Sequence, residues 1–230
     1  MNLPKDDLPV LPSHMVILTP SAQDISSIVE RSRELLAGGK VIAYPTETFY
    51  GLGAKYDDES ALERVFSIKH RAVEKAMPLI IGSRELLPLV AETIPPAAEE
   101  LMKLFWPGPL TLLMHAVKRL SAWITAGTGK VAVRVPGSSF ALDLARGLEF
   151  PITATSANLS GKWPADNAGD VKAVFGSGID ALIDCGKTPG GLPSTIIDVT
   201  GGEIRIMRQG AVTEEMIFAG LRHGSRRAGL

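Results

Sequence analysis

The chain has 230 residues, of which 45% are hydrophobic and 21% are charged, a composition typical of a soluble globular protein. The formal net charge of −1 provides no overall attraction to nucleic acid or to an anionic membrane, although a local basic groove is compatible with it. A single cysteine, Cys185, excludes an intramolecular disulfide, and the sequence contains neither a recognisable signal peptide nor an 18-residue apolar run. We therefore expect a cytoplasmic protein that has no contact with a membrane.

The first half of the chain alternates short apolar segments with amphipathic ones. Residues 1–14 lack both a basic start and a continuous apolar stretch, which predicts an irregular tail. Strands are predicted at 15–18, 40–44, 78–81 and 110–114. Helices are predicted to begin at Ser21 or Asp24, near 57–60, near Glu85 and after Pro95-Pro96.

The second half repeats this alternation and ends in a polar segment. Strands are predicted at 130–135, 152–154, 181–184, 195–199 and 203–207, and helices at 140–146, 171–175 and 213–221. The Gly-Gly joint between the last two strands is typical of a hairpin. No repeat and no break in composition divides the chain. We therefore predict one α/β domain over 15–220 with a mixed sheet, followed by a frayed tail over 221–230.

Polar residues directly follow the apolar strand predicted at 40–44. The loop 45–53 contains two threonines, a glutamate and two glycines. In α/β sheets, ligands usually bind where loops leave the strands. An irregular turn whose Thr hydroxyls satisfy local backbone groups explains the same residues. Both interpretations stay open from the residues alone.

Four cationic or potentially cationic residues lie close together at the end of the second predicted helix: Lys69, His70, Arg71 and Lys75. Basic residues there complement the helix dipole, and His70 is interpreted as an exposed residue at the helix end. The cluster exceeds what a dipole requires. A polyphosphate would suit it, because Arg offers a bidentate fork and Lys a point charge.

Arg134 lies inside the apolar segment 131–135. Strand alternation places three valines on one face and Arg134 with Ala132 on the other. An Arg on a covered face requires an anionic partner. A ligand carboxylate and an internal Asp or Glu are both candidates for that partner.

Small polar residues also follow the strand predicted at 152–154. Residues 153–161 carry five small polar side chains and a glycine, which suits a close approach to a nucleotide but also a simple Ser/Thr turn. The glycines at 190–191 belong to neither a Walker A loop nor a Rossmann motif. No Cys/His cluster with metal-ligand spacing and no Gly-x-Ser-x-Gly elbow is present. The sequence therefore predicts positioning and charge neutralisation rather than covalent catalysis.

Eight segments, in order, resemble the YrdC-like threonylcarbamoyl-AMP synthases. They are YPTETFYGLG at 44–53, the Lys-x-Arg at 69–71, PLII at 78–81, WPGPLTLL at 106–113, TAG at 125–127, VAVRVP at 131–136, the Ser-x-Asn at 156–158 and STIIDV at 194–199. The resemblance extends over about residues 15–220. It implies a YrdC-like single α/β domain, with a twisted mixed sheet flanked by helices around a concave basic cavity.

The resemblance also implies an activity. L-threonine, bicarbonate or CO2, and ATP, with Mg²⁺, would condense to threonylcarbamoyl-AMP and pyrophosphate, which makes the chain a nucleotidyltransferase. A separate transferase complex would then move the threonylcarbamoyl group onto an adenosine of tRNA. A weak contact with RNA is compatible with this activity.

The family's functional residues fall on matching positions here, and the resemblance assigns catalysis to Lys69 and Arg71. ATP would be bound by Arg71, Lys75, Lys130, Ser156, Asn158 and Arg208. Threonine would be bound by Thr48, Arg134, Ala154 and Ser194, with Arg134 on its carboxylate. No residue is assigned to a metal.

Three departures from the family pattern stand out. Ala72 follows the Lys-x-Arg where many members have Pro, and Gly82 occupies the position of a family His. Gln209 replaces the Pro of a family Arg-Pro-Gly. The chain also ends where some relatives continue into a further domain, so we expect the short, single-domain bacterial type.

Two other functions stay open. A non-catalytic RNA-binding module would hold a nucleic-acid backbone in the basic cavity, but the net charge of −1 and the few aromatic residues near the basic loops argue against it. A carbamoyl-handling maturation enzyme would be much larger. It would add zinc-finger and acylphosphatase-like parts that this sequence lacks.

Overall fold

The computed structural model describes residues 15–21, 23–72 and 74–227, with side chains described as far as Arg222. The tail predicted at 1–14 and positions 228–230 of the predicted C-terminal tail lie outside these residues. Within the described ranges, no helix is long and apolar enough to cross a membrane.

Short strands and helices alternate along the chain. The strands are β1 (Val16–Leu18), β2 (Ile42–Pro45), β3 (Tyr50–Gly53), β4 (Leu79–Ile80), β5 (Leu110–His115), β6 (Lys130–Arg134), β7 (Ile152–Thr153), β8 (Thr155–Ser156), β9 (Ala181–Ile183), β10 (Thr195–Asp198) and β11 (Arg205–Arg208). The helices are α1 (Ile25–Ala37), α2 (Glu59–Lys69), α3 (Pro96–Phe105), α4 (Ala122–Thr125), α5 (Phe140–Arg146), α6 (Ala168–Phe175) and α7 (Glu214–Arg227). The helix predicted near Glu85 is a 3-10 helix that contains Pro88, a residue that the interior of an α-helix does not tolerate.

The strands form two mixed sheets rather than the single sheet predicted. Sheet A has the order β1-β9-β2-β3-β8, and sheet B has the order β11-β10-β5-β6-β4-β7. The strand predicted at 152–154 is divided between them, because β7 pairs with β4 and β8 pairs with β3. Ala154 is the single residue between β7 and β8. Apolar periodicity gives no sign of such a change of pairing partner, so the sequence predicted one strand at 152–154.

The loop predicted at 45–53 is partly a strand. β2 and β3 pair antiparallel, with Ile42 opposite Gly53. A Cβ atom at Gly53 would lie 2.8 Å from the ring of Tyr44, so glycine allows this ring to lie across the hairpin. Tyr44 is fully buried, and its hydroxyl donates to the carbonyl of Thr153 at 2.8 Å. This bond ties sheet A to β7 of sheet B.

One apolar core joins both sheets to α2. It contains Ala43 and Leu52 from sheet A, Leu112 and Val133 from sheet B, and Phe66 from α2, all at most 3% exposed. Burial of each large apolar side chain stabilises the fold by roughly 1.5–3 kcal/mol. The two sheets are therefore halves of one packed unit.

Two helix ends bear on the site. The carboxylate of Asp58 caps α2, because its Oδ1 accepts from the amide of Ala61 at 2.9 Å, a cap that contributes about 1 kcal/mol. α2 ends at Lys69, because His70 adopts a left-handed φ of 49°. The helix predicted at 213–221 continues to Arg227 as α7, so the part of the predicted frayed tail that the structure describes is helical.

Candidate active site

Polar side chains gather at one end of sheet B. β10 runs parallel to β5, with Thr195 opposite Leu110, while β6 runs antiparallel to β5, with Val133 opposite Leu112. The end of β6 and the beginning of β10 therefore lie on the same side of sheet B, at the edge that is formed by the ends of its strands. This edge holds Arg134 and Ser194, two of the predicted threonine-binding residues.

Arg134 has an internal partner. Its side chain is 9% exposed, and one guanidinium nitrogen donates to Oε1 of Glu47. The second carboxylate oxygen of Glu47 is buried and has no hydrogen-bond partner among the described residues. A guanidinium carries five N–H donors, so the bond to Glu47 leaves most of them for a ligand. Of the two partners considered from the sequence, the structure contains the internal carboxylate.

Arg208 and Ser194 lie beside this pair. The guanidinium of Arg208 donates to the carbonyl of Ser194 at 2.8 Å and to its hydroxyl at 3.1 Å. The same hydroxyl lies 2.9 Å from that of Thr111. Burial of the guanidinium group, and then the positive charge of Arg134, lower the pKa of Arg208. Arg134 and Arg208 therefore lie near enough to interact electrostatically, and two neighbouring cations attract an anion.

A tight turn carries Thr48. The hydroxyl of Thr46 accepts from the amides of Thr48 and Phe49, at 3.1 and 3.2 Å, which is the local role that the sequence left open for these threonines. The carbonyl of Thr48 accepts from the amide of Gly190 at 2.8 Å. The Gly-Gly segment is thereby joined to the same turn.

The Ser-x-Asn segment follows β8. The hydroxyl of Ser156 donates to Oδ1 of Asn158 at 2.5 Å, and the amide group of Asn158 donates to the carbonyls of Leu159 and Lys162, at 2.9 and 2.7 Å. Ala154 lies just before it and donates its amide to the carbonyl of Pro78 at 2.8 Å. The turn is thus closed on itself by its own polar side chains.

Lys69 is directed at the backbone of this turn. The side chain is 1% exposed, and its ammonium group donates to the carbonyls of Ser156 and Asn158, the second at 2.7 Å. Burial, and then the charge of Arg71, lower the pKa of Lys69 to about 7. The residue predicted to act on phosphate therefore uses two of its three donors on carbonyl oxygens.

Arg71 and Lys75 lie on the outer side of Lys69. The guanidinium of Arg71 donates to the carbonyls of Lys75 and Ala76, at 3.2 and 2.7 Å, and lies 5.8 Å from the ring of Phe66. Burial lowers the pKa of Arg71. Lys75 is exposed. These two cations are better placed than Lys69 to meet a ligand that arrives from solvent.

β3 connects the two groups of residues. Gly51 of β3 lies opposite Ser156, and the turn with Glu47 and Thr48 immediately precedes β3. The group around Arg134 and the group around Ser156 are therefore neighbours in the fold. Of the residues predicted for the site, this arrangement includes Thr48, Arg134, Ala154, Ser194, Arg208, Ser156, Asn158, Lys69, Arg71 and Lys75.

Lys130 is not brought to this site. It begins β6 and lies opposite His115, four residues or roughly 13 Å along the strand from Arg134. Its ammonium group lies 2.7 Å from Oδ2 of Asp198. Lys130 and Arg134 occupy opposite ends of β6. The match of Lys130 to a family position gave no information about which end of the strand lies at the site.

Sequence reasoning missed three residues of the site. Glu47 lies in the first motif but had no assigned role, although the need of Arg134 for an anionic partner pointed to a carboxylate. Thr111 looks like a strand residue in an apolar segment. Gly210 packs so closely that a Cβ atom would lie 2.1 Å from the carbonyl oxygen of Pro193, and no sequence signal announces this contact.

A cavity of about 330 Å³ opens beside Glu47. Its walls include Thr46, Ser139, Cys185 and Thr188. Cys185 is partly accessible to solvent. Partial desolvation, and then the negative charges of Asp184 and Asp143, raise the pKa of its thiol to about 11, which makes it a poor nucleophile at neutral pH. The cavity thus extends the site without adding covalent chemistry.

The site offers little to a metal on its own. No group of three or more His, Cys, Asp or Glu side chains that could hold a metal occurs in the described part of the chain. Mg²⁺ in nucleotide enzymes takes many of its oxygen ligands from phosphates and water. Among the described residues, the unpartnered buried Oε2 of Glu47 is an oxygen that such an ion could use.

A family model identifies the family of the chain. The model of the Sua5, YciO and YrdC proteins, described as "Telomere recombination", matches residues 34–210. The chain belongs to this family. The matched span contains both groups of site residues described above.

Several Sua5/YciO/YrdC proteins are closely similar to the chain. The threonylcarbamoyl-AMP synthase of Pyrococcus abyssi is 43% identical over 78% of the chain and 53% of its own length. The enzyme of the same name from Bacillus subtilis is 35% identical over 83% of the chain and 56% of its own length. Crystalline P. abyssi Sua5 in complex with L-threonine superposes with a TM-score of 0.83 at 37% identity, over 90% of the chain and 60% of that protein. The chain thus spans about half the length of these curated relatives.

Proposed function

We propose that the chain synthesises L-threonylcarbamoyl-AMP from L-threonine, bicarbonate or CO2, and ATP, and releases pyrophosphate. The observation that carries this proposal is the buried guanidinium of Arg134, which keeps free donors at the sheet edge beside Ser194 and Arg208. Two relatives at 43% and 35% identity bear the name of this synthase. The proposal makes the chain a cytoplasmic nucleotidyltransferase of tRNA modification.

Threonine would bind at the edge of sheet B. Its carboxylate would meet the remaining donors of Arg134 and the hydroxyl of Ser194, and its side chain and amine would face Thr48 and the backbone near Ala154. The nearby carboxylate of Glu47 favours a positively charged or hydrogen-bonding amine. A guanidinium and a carboxylate side by side complement an amino acid with its two opposite charges.

ATP would bind across the Ser-x-Asn turn. Ser156 and Asn158 would contact the nucleotide, and Arg71, Lys75 and Arg208 would neutralise its phosphates. Lys130 has no part in this arrangement, because it lies at the other end of β6. Bound Mg²⁺ would supply further neutralisation of phosphate charge.

The reaction then needs positioning more than a nucleophilic side chain. The free amine of threonine forms a bond to the carbon of CO2 and gives up one proton to solvent, which leaves a carbamate. With bicarbonate, that proton and the hydroxide displaced from the carbon leave together as water. A carbamate oxygen attacks the α-phosphorus of ATP, and the bond from that phosphorus to the bridging oxygen of pyrophosphate breaks. Arg71 and its neighbours would stabilise the charge that develops on the phosphates.

A direct assay tests the proposal. The protein is mixed with ATP, Mg²⁺, L-threonine and bicarbonate, pyrophosphate is measured, and the labile adenylate is sought by mass spectrometry. Pyrophosphate release should depend on both threonine and bicarbonate. Release that is unchanged without threonine would overturn the proposal.

Tight RNA binding with a steep salt dependence and no adenylate would instead favour an RNA-binding module. A tRNA threonylcarbamoyl-transferase complex would use the product.

A further inference from the structure

We infer that Lys69 is a positioning residue, whose ammonium group holds the carbonyls of Ser156 and Asn158 together and so builds the Ser-x-Asn turn. Its importance for ATP rests on the proposed function, whereas its role in building the turn does not. The residue would act through the turn, without contacting the phosphates.

The first argument is the number of bonds between Lys69 and one short segment. The ammonium group donates to the carbonyls of Ser156 and Asn158. The carbonyl of Lys69 itself accepts from the amide of Ser160 at 3.0 Å. Main chain and side chain of one residue thus bind three positions within 156–160.

The second argument is electrostatic. Two carbonyl oxygens that point at a common centre repel each other, because both carry partial negative charge, and a donor between them removes this repulsion. Lys69 provides that donor from a side chain that is 1% exposed. Since the ammonium group is buried, a solvated triphosphate has little access to it.

The third argument is the rigidity of the support. Lys69 is the last residue of α2, and this helix is fixed by the Asp58 cap and by the burial of Leu62 and Val65. The segment that Lys69 holds is also closed by side-chain bonds of Ser156 and Asn158. These two residues are exposed or half-buried, so water competes for those bonds more than for the bonds of Lys69. A rigid helix end therefore imposes the shape of a solvent-facing turn.

Hydrogen exchange of the ligand-free protein tests this role without any substrate. In Lys69→Met, the side chain keeps its length but loses its donors, so amide exchange in 157–162 should become at least tenfold faster while exchange in the middle of α2 stays unchanged. The matched control is Arg71→Met, which removes the other cation of the Lys-x-Arg and should leave exchange in 157–162 within about twofold of the unmodified protein.

Two outcomes would overturn the inference. One is unchanged exchange in 157–162 of Lys69→Met together with weaker ATP binding, which would assign Lys69 to direct contact with ATP. The other comes from a second experiment, which is needed if Lys69→Met does not fold.

In that case hydrogen exchange is measured on the unmodified protein in low denaturant. Residues 157–160 should then open together with the last turn of α2. Opening of the segment alone at lower denaturant would contradict the proposed role. Pyrophosphate release by the unmodified protein tests the proposed function separately.

Discussion

At the scale of single residues, Glu47 and Arg134 form an ion pair that is largely buried. Both side chains are at most 14% exposed, so neither charge is compensated by solvent if its partner is removed. Removal of one member of a buried ion pair is far more damaging than removal of an exposed one. Each member of the pair therefore requires the other in the folded protein.

We expect Glu47→Ala to lower the free energy of unfolding by about 3 kcal/mol, because it leaves the guanidinium of Arg134 buried without its anion. Urea denaturation followed by circular dichroism measures this change. The control is Asp57→Ala, which removes an exposed partner of Lys55 and should cost less than about 1 kcal/mol. Equal losses in the two variants would show that solvent compensates Arg134.

Lys69 makes stability depend on pH. Its pKa is about 7 in the folded protein, below the ordinary value of 10.5, so between these values the unfolded chain binds more protons than the folded one. Stability must then rise with pH over this interval. We expect the free energy of unfolding of the unmodified protein, minus that of Lys69→Met, to increase from pH 7 to pH 10. A difference that is constant or that falls would contradict this prediction.

Arg71 is the cation whose removal should affect turnover most directly. Loss of one contact to developing charge raises a barrier by roughly 2–4 kcal/mol, so Arg71→Ala should reduce pyrophosphate release about a hundredfold or more in a protein that still folds. The control is Arg84→Ala, which changes an exposed residue 3.9 Å from Glu99 and should retain normal turnover. Near-normal release by Arg71→Ala would remove Arg71 from the site.

At the scale of elements, close backbone contacts fix the joints between strands. Gly210 lies after β11, and its amide donates to the hydroxyl of Thr195 at 3.0 Å. This contact keeps the end of β11, with Arg208, against the beginning of β10, with Ser194. Gly82 has a similar role after β4, since a Cβ atom there would lie 2.2 Å from the carbonyl oxygen of Ala145. The position of the family His therefore cannot carry a side chain in this backbone arrangement.

Gly210→Ala should separate the two strand ends. A methyl group 2.1 Å from the carbonyl oxygen of Pro193 forces the backbone apart, and such overpacking typically costs about 1–3 kcal/mol. Thermal unfolding measures the loss. Gly202→Ala is the matched control, because a Cβ atom at Gly202 has no atom within 4 Å. Equal thermal unfolding midpoints for the two variants would show that the backbone at Gly210 accommodates a methyl group without loss of stability.

At the scale of the whole molecule, the two sheets share their buried apolar cores. Residues of sheet A, sheet B and α2 contact each other in a single apolar cluster. Neither sheet can lose its inner face to water without exposing that of the other. Although the chain is longer than most two-state domains, we expect one cooperative unfolding transition in urea, with coincident curves from circular dichroism and tryptophan fluorescence. Two separated transitions would show that the sheets unfold independently.

The sequence predicted the parts of this molecule that depend on local pattern. α2 ends at the predicted Lys69, and β6 and β9 lie where apolar alternation indicated. The α/β fold and the family were also predicted correctly. The division into two sheets was not, because strand pairing depends on contacts between segments far apart in sequence. The short strand β3 escaped prediction for a local reason, since two of its four residues are glycines, which are typical of a loop.

The site shows the same limit. Motif matching assigned Arg134 and Ser194 to threonine and the Ser-x-Asn turn to ATP, and these assignments stay predictions. It gave no directions for the side chains. Lys69 was expected to face phosphate but bonds to carbonyls, and Lys130 lies at the other end of its strand. The roles proposed for these residues in catalysis stay predictions.

Ala154 has a mechanical consequence. It is the only residue between two dipeptide strands that belong to different sheets, so its two backbone torsions must fit the angle at which the packed sheets hold those strands. The proposed threonine contacts lie mainly at the edge of sheet B, and Ser156 lies in sheet A. A few degrees of rotation at Ala154 would therefore change the distance between the proposed binding positions of the amino acid and the nucleotide.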